Sequence, residues 1–590
     1  MEDARACPLM RIGFRFQFHF GLVIHRRDAR IDRDDQDDDE YMGGRRRGQS
    51  WPADAAGVHD ALVAQTFERL CATGGDEAST RAVQTTTDGT TGGGVVVGEG
   101  CARGRIDVMG GIGDYSGCVV AQMGTKRETR ASVTFRERLS GENRLLVKTT
   151  MKTTTTTTTT SETKTFECDF RECFAVKTFD PAVTREYFET KRPKEDSWAA
   201  YAAGSIGEVF RALLRDEDDE SQLEGLKRWI QRCALGSDCE VEIESDVPQG
   251  KGVASSAAVE VAVAKAVIDC ALKSGVASLE NPRFRAHVAM VPHYCHSAEN
   301  NVVGAPCGFM DQYACFHCEP GSLLALNCDL HKTSVADGPE VFEFVEMPRE
   351  LAVVGIDSGI RHSNTGGSDY AKVRCGTFMG KMLLVDELNA RMGWSLHCDA
   401  ISLCAVLSAE MWDHGSWGSP GNWYQHIDEE MTGDLYMATF GKHYDEPYTK
   451  VDVNETYAPR SNVSHALREH ARVNEFIDIL KHWSSDAGED AQLEVGRRLG
   501  DLMFASHDSY GSVGLGSTHT DDLVNLVREL DPERKNLFGA KITGGGSGGV
   551  VCVLHRDCAE SRALIERVRE RYQSTHQLKD KPDLILDCGA

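Results

Sequence analysis

The sequence predicts an α+β protein of two lobes, on three observations. Residues 239–244 alternate apolar and acidic side chains, as a half-buried strand should. They lead through a glycine-rich turn into an Ala-rich helix at about 255–273, with Gly275 as its stop. Residues 351–356 and 550–554 are short continuous apolar runs of the buried-strand type. Helical patterns at roughly 367–391, 462–482 and 490–510 lie between those runs and suggest a second α+β lobe.

Taken in order, the chain opens on a stretch unlike the rest. Apolar residues from Ile12 to Ile24 fall at strand period, an acidic run spans 34–40, and Arg45, Arg46 and Arg47 follow. Residues 57–73 fit one helix, stopped by Gly74 and Gly75, and 85–94 is a Thr/Gly-rich linker. Residues 1–94 are therefore expected to be an extension, disordered or loosely packed, with a targeting role as the alternative. Val95, Val96 and Val97 begin a strand, and a first lobe is expected over 95–345, a second over 346–590. The threonine tract 153–160 suits a surface hairpin or loop of the first lobe. A helix is expected over 197–214, whereas 410–460 shows no clear period.

Composition narrows the function classes. The 590 residues are 41% hydrophobic, with no apolar run of membrane-spanning length, so a soluble globular protein is expected. A formal net charge of −26 argues against nucleic acid, whose phosphates need clustered Lys and Arg. Twenty cysteines without regular spacing do not suggest a disulfide scaffold. They read as reduced thiols of a cytoplasmic protein. Cys315-Phe-His-Cys318 has no second pair at zinc-site spacing and reads as packing. Oligomeric state is not legible.

Four strings carry the chemistry. The first, at 248–258, is P-Q-G-K-G-V-A-S-S-A-A between the strand and the helix. Gly250 and Gly252 let backbone approach a ligand, and the free amides at the helix start favour an anion. The turn is thus a candidate phosphate cradle, the alternative being a turn that binds nothing. It is not a P-loop, because Lys251 is followed by Gly252 and not by Ser or Thr. The second, A-R-G-R-I-D-V-M-G-G-I-G-D-Y-S-G at 102–117, reads as a strand entering a tight loop, with glycines around Arg105 and Asp114. The third is A-E-N-N-V-V-G-A-P-C-G-F-M-D-Q at 298–312. The fourth, K-I-T-G-G-G-S-G-G-V-V-C-V-L at 541–554, reads as a ligand-side turn followed by a strand.

Together these strings resemble the GHMP small-molecule kinases and, within them, the galactokinase-like sugar kinases. The resemblance covers about 95–586 and implies a two-lobed α+β GHMP kinase fold with the active site between the lobes. It implies ATP and Mg2+ as cofactors and a small-molecule sugar as partner, with no nucleic acid and no membrane. By resemblance, Asp311 is the catalytic aspartate and Arg105 faces the transferring phosphate. Arginine suits that place because its fork spans two phosphate oxygens. Ser256 and Glu299 hold the magnesium, a sensible pair for a hard cation that also keeps phosphate oxygens and water. ATP lies along Gly250, Lys251, Gly252, Val253, Ala254, Ser255, Ser256 and Ala257, with Trp198 of W-A-A-Y-A-A-G as the adenine wall. A core aromatic is the alternative for Trp198. Ala254 stands where galactokinases carry another serine. Asp114 and Tyr370 touch the sugar, and Gly308 lets backbone lie against it.

Galactokinases carry Glu-His where this chain has Gly111 and Ile112. By resemblance that glutamate reads the hydroxyl on the sixth carbon of galactose. Losing it removes the reason to prefer a hexose. L-arabinose has galactose's ring hydroxyls without the exocyclic CH2OH, and the same strings resemble plant-type L-arabinokinases. Galactose, or another sugar, stays the alternative acceptor. A silent sugar and ATP sensor is the non-enzyme alternative. Arg103 replaces the usual proline before Gly104, a departure that touches none of these groups.

Overall fold

Side-chain alternation and well-placed glycines build the first sheet. The computed structural model describes residues 95–138, 143–154, 159–215, 220–329, 342–360, 369–393, 395–398, 401–406, 427–441, 449–578 and 582–585. Strands β1 (Val95–Met109) and β2 (Val119–Glu137) form a long antiparallel pair. β3 (Arg144–Thr154) and β4 (Thr159–Asp169) form a hairpin in which Thr153 faces Thr160 and Thr154 faces Thr159. The described ends of the threonine tract, 153–154 and 159–160, therefore pair with each other across two antiparallel strands.

Helices α1 (Ala199–Arg215) and α2 (Glu220–Gly236) lead to β5 (Ser237–Ser245), which enters the sheet between β3 and β2. Its alternation is real: Cys239, Val241 and Ile243 are buried, while the glutamates between them point to the wetter face. There Lys148 and Lys152 of β3 meet Glu240 at 2.6 Å and Glu244 at 2.7 Å. The Ala-rich helix is α3 (Ser255–Lys273), apolar on most of its surface and buried against β1. A Cβ on Gly98 would stand 2.1 Å from the Ala266 carbonyl oxygen, and one on Gly100 2.0 Å from that of Ala262. Two strand glycines thus let helix and strand backbones touch. α4 (Met310–His317), β6 (Ser322–Asn327) and β7 (Phe342–Glu346) follow. The sheet has seven strands in the order β4-β3-β5-β2-β6-β7, with β1 pairing along β2.

A second, three-stranded antiparallel sheet places residues 550–556 between 537–542 and 351–357. Its first strand in the chain, β8 (Leu351–Asp357), precedes α5 (Asp369–Met392), α6 (Pro459–Lys481), α7 (Glu489–Ser512) and α8 (Thr518–Leu530). β9 (Leu537–Ile542), β10 (Val550–Arg556) and α9 (Ala559–Thr575) complete it. β8 and β10 are buried along nearly their whole length, which is why they read as unbroken apolar runs. The three helical patterns are α5, α6 and α7. Val353, Val550 and Cys552 of this sheet join the same apolar cluster as α1, α3 and the first sheet, so the two sheets share a core.

Cys315 and Cys318 are buried in packing, as read, and the described cysteines are free thiols. Among the described residues no helix is long and apolar enough to cross a membrane. The expectations for 1–94, for 361–368 and, within 410–460, for 410–426 and 442–448 lie outside the described residues.

Candidate active site

The loop before α3 is shaped by three residues of positive φ: Gly250 at 67°, Gly252 at 71° and Ala254 at 58°. Ala254 is the residue that caps α3, and it offers no side-chain bond to the first turn. The amides at Ser255 to Ala257 are therefore left to a ligand, with the positive end of a 19-residue helix behind them. The same loop turns its carbonyls the other way. Gly252 O accepts from Arg105 Nη1 at 2.5 Å and from Thr543 Oγ1 at 3.2 Å. Val253 O accepts the Arg105 backbone N–H at 3.1 Å, and Lys251 O accepts that of Val550 at 3.1 Å. Lys251 Nζ reaches Asp357 Oδ1 at 2.9 Å.

Arg105 is 2% exposed, on β1 beneath that loop. Its Nη2 and Nε hold one oxygen of Asp311 at 2.6 and 3.1 Å. Burial works against its charge, but Asp311 and Asp107 outweigh this and raise its pKa further. Asp311, in the first turn of α4, keeps 24% of its side chain open. Asp114 sits in the 3-10 turn Gly111–Ser116, bounded by Gly110 and Gly117 in the left-handed region. It accepts from the Tyr115 N–H at 2.9 Å and the Met310 N–H at 3.3 Å. Burial, and then the negative charge of Asp311, push its pKa up to about 6, with Arg374 opposing.

Glu299 lies in the π-helical turn Ala298–Val303 and is buried. Burial and the charge of Asp311 push it up to about 7, against hydrogen bonds from Ser256, Cys307 and Gln312. Gln312 Nε2 bridges Glu299 Oε2 at 2.6 Å and Glu260 Oε2 at 3.2 Å. Glu260, in the second turn of α3, is fully buried, is raised well above the carboxylate range by burial and Glu299, and leaves Oε1 without a partner. A serine hydroxyl beside buried carboxylates, one with an orphaned oxygen, is a donor set that suits a hard, oxygen-preferring dication, so these residues fit Mg2+.

The glycine run packs on the loop from the second sheet. A Cβ on Gly549 (φ +79) would stand 2.6 Å from Lys251 O, and one on Gly544 (φ +62) 2.9 Å from Gly252 O. Trp198 is half-buried at the start of α1 and packs on the main core. α1 lies against the Glu299 turn through Gly204, where a Cβ would meet Ala298 and Val302 at 3.1 Å. Tyr370, at the start of α5, meets Tyr115 edge-on with ring centroids 6.0 Å apart.

Two expectations take a different physical reason. Gly308 abuts Asp114: a Cβ there would lie 1.9 Å from Oδ2, so this glycine makes room for the carboxylate. The space beside Gly111 is filled, because a Cβ would lie 1.4 Å from the Tyr510 hydroxyl. That hydroxyl accepts the Ile112 N–H and donates to Gly544 O, both at 2.9 Å. Ile112 is buried with Tyr370, Tyr510 and Leu515. The string reading missed Tyr510, Glu260, Gln312 and the pair Asp107–Lys541, which meets at 2.6 Å with both side chains fully buried.

The sequence profile of the GHMP kinases N terminal domain matches residues 223–319, and that of the GHMP kinases C terminal matches 489–574. An L-arabinokinase of Arabidopsis thaliana is 32% identical over 510 residues, 80% of this chain. The match covers 44% of that protein, so the chain spans less than half its length. A galactokinase of Chloroflexus aurantiacus is 31% identical over 393 residues, 63% of this chain and 76% of its own. Lactococcus lactis galactokinase, solved in complex with galactose, shares the fold at 18% identity and a TM-score of 0.51, covering 83% of this chain and 92% of its own.

Proposed function

The chain belongs to the GHMP kinase family, on its sugar-kinase branch, and we propose that it phosphorylates the anomeric hydroxyl of L-arabinose with ATP, giving L-arabinose 1-phosphate and ADP. The observation that carries this reading is Asp311, pinned by Arg105 at 2.6 Å beside the loop whose helix amides stand free.

The nucleotide phosphates lie on the amides of Ser255 to Ala257, with adenine toward Trp198. Asp114 and Tyr370 orient the sugar from the first lobe and from α5. Asp311 accepts the hydroxyl proton as the oxygen attacks the terminal phosphorus in line. Arg105 is held by a carbonyl and a carboxylate before substrate arrives, and it stabilises charge on the transferred group. Mg2+, when bound at Ser256 and Glu299, supplies charge neutralisation for the phosphate oxygens. L-arabinose is favoured because Gly111 offers no side chain and the Tyr510 hydroxyl, already engaged at both ends, fills that place.

The test is magnesium-dependent ADP release by purified protein with L-arabinose and with D-galactose, using Asp311→Asn as control. Faster turnover on arabinose supports the whole reading. Preference for galactose keeps the phosphotransfer and discards the acceptor. No sugar-dependent release from folded protein overturns both.

A further inference from the structure

Among the described residues one cluster of soft donor groups lies outside this machinery: Cys118, Cys404 and His470, whose donor atoms fall within 4.8 Å of one another. Cys118 directly follows the turn that carries Asp114. Its N–H donates to Gly113 O at 3.2 Å, and a Cβ on Gly113 would lie 2.9 Å from its side chain. Cys404 sits on the short helix Leu403–Val406. The segment before that helix already packs on the turn, since a Cβ on Gly117 would lie 2.5 Å from that of Ser402.

The two sulfurs are 3.3 Å apart. Closing that gap to the roughly 2.05 Å of a disulfide asks for about 1.3 Å, shared by two side chains. His470 Nδ1 already accepts the Val119 N–H at 3.0 Å, which engages the lone pair a metal would need, and the Cys118 thiol has Cys404 Sγ at 3.3 Å and Ala466 O at 3.2 Å as its partners. Cys404 is half-buried and Cys118 buried, so a dissolved reagent meets Cys404 first. The hydrogen bond with Cys404, and burial, push the Cys118 thiol well up, so it is the poorer first attacker.

We propose that Cys118 and Cys404 close a reversible disulfide that ties the Asp114 turn to the Leu403–Val406 helix and weakens sugar binding. The oxidant is a small disulfide of the glutathione class. The Cys404 thiolate attacks one of its sulfurs and expels the other as a thiol. Cys118 then gives up its proton to solvent and displaces the remaining sulfur from Cys404. Two protein thiols are oxidised and one small disulfide is reduced to two thiols. The sugar effect follows because Cys118 moves relative to Gly113 and Asp114, and displacements of this size at a positioning group are costly. That part rests on the sugar-kinase reading, whereas the cross-link does not.

The experiment treats the full chain with oxidised and then reduced glutathione, maps peptides without reduction, and measures the sugar and ATP KM in each state. Expected are one peptide joining positions 118 and 404, lost on reduction, and a sugar KM raised roughly five-fold or more with the ATP KM unchanged. Cys404→Ser should be active, lack the joined peptide and ignore the oxidant. No joined peptide from folded protein overturns the proposal, as does a retained Zn2+ that shields both thiols. A joined peptide with an unchanged sugar KM overturns its functional half. If the reduced protein phosphorylates no sugar, the kinase reading fails while the mapped cross-link still stands or falls by mass alone.

Discussion

Asp311 and Glu299 are both acidic groups in the candidate site, yet their surroundings are opposite. Asp311 faces Arg105 and keeps part of its carboxylate open, the posture of a group that meets substrate. Asp311→Asn is expected to lower turnover about 10²–10⁴-fold while nucleotide affinity is kept, read by steady-state kinetics beside equilibrium nucleotide binding. Loss of nucleotide binding in that variant would count against the assignment. Glu299 is buried and pushed up to about 7, so a proton would compete with a metal bound there. Its folded-state pKa lies above the unfolded value of about 4.3, so its contribution to stability is full below that value and fades as pH rises through about 7. Added Mg2+ should therefore raise the melting temperature more at pH 7.5 than at pH 5.5. Glu299→Gln should flatten that difference, and an equal effect at both pH values would sink the metal assignment. Arg105, Asp114, Glu299 and Asp311 were legible because each stands in a string with its own glycines. Glu260 and Gln312 were not, since their meaning arises only where α3, α4 and the Glu299 turn converge.

At the scale of elements, the strand–loop–helix unit was plain in the sequence. Strict alternation in β5, positive-φ glycines and an alanine-rich helix all point the same way. The length of β1 and β2 was not, because the glycines that lower strand propensity in β1 serve the close approach of α3, a tertiary reason. Tyr510 was hidden for the same cause: it lies on α7, far along the chain from the two loops it joins. The glycine run of 544–549 gives a direct test. Gly549→Ala puts a methyl against Lys251 O at a φ of +79°, and should cost about 1–3 kcal/mol of stability and raise the ATP KM. Urea unfolding beside ATP kinetics measures both, and a wild-type ATP KM would show that this turn does not shape the loop.

For the molecule as a whole, the two sheets are joined by a fully buried charge pair, Lys541 Nζ to Asp107 Oδ2 at 2.6 Å, backed by Gln122 and the Gly111 N–H on the other oxygen. Removing one partner strands a buried charge, so Lys541→Met should cost about 3–5 kcal/mol in urea unfolding. Replacing both with apolar residues should recover much of that. A near-neutral single variant would mean that water or another group reaches Asp107. This pair was invisible in the sequence because 434 positions separate its members.

The loop before α3 is sewn to the second sheet by one backbone bond, Val550 N–H on Lys251 O, and two side-chain bonds, Thr543 Oγ1 on Gly252 O and Lys251 Nζ on Asp357. Such seams oppose a clamshell motion in which the two halves swing apart. Solution scattering should therefore find the radius of gyration unchanged when ATP and magnesium are added.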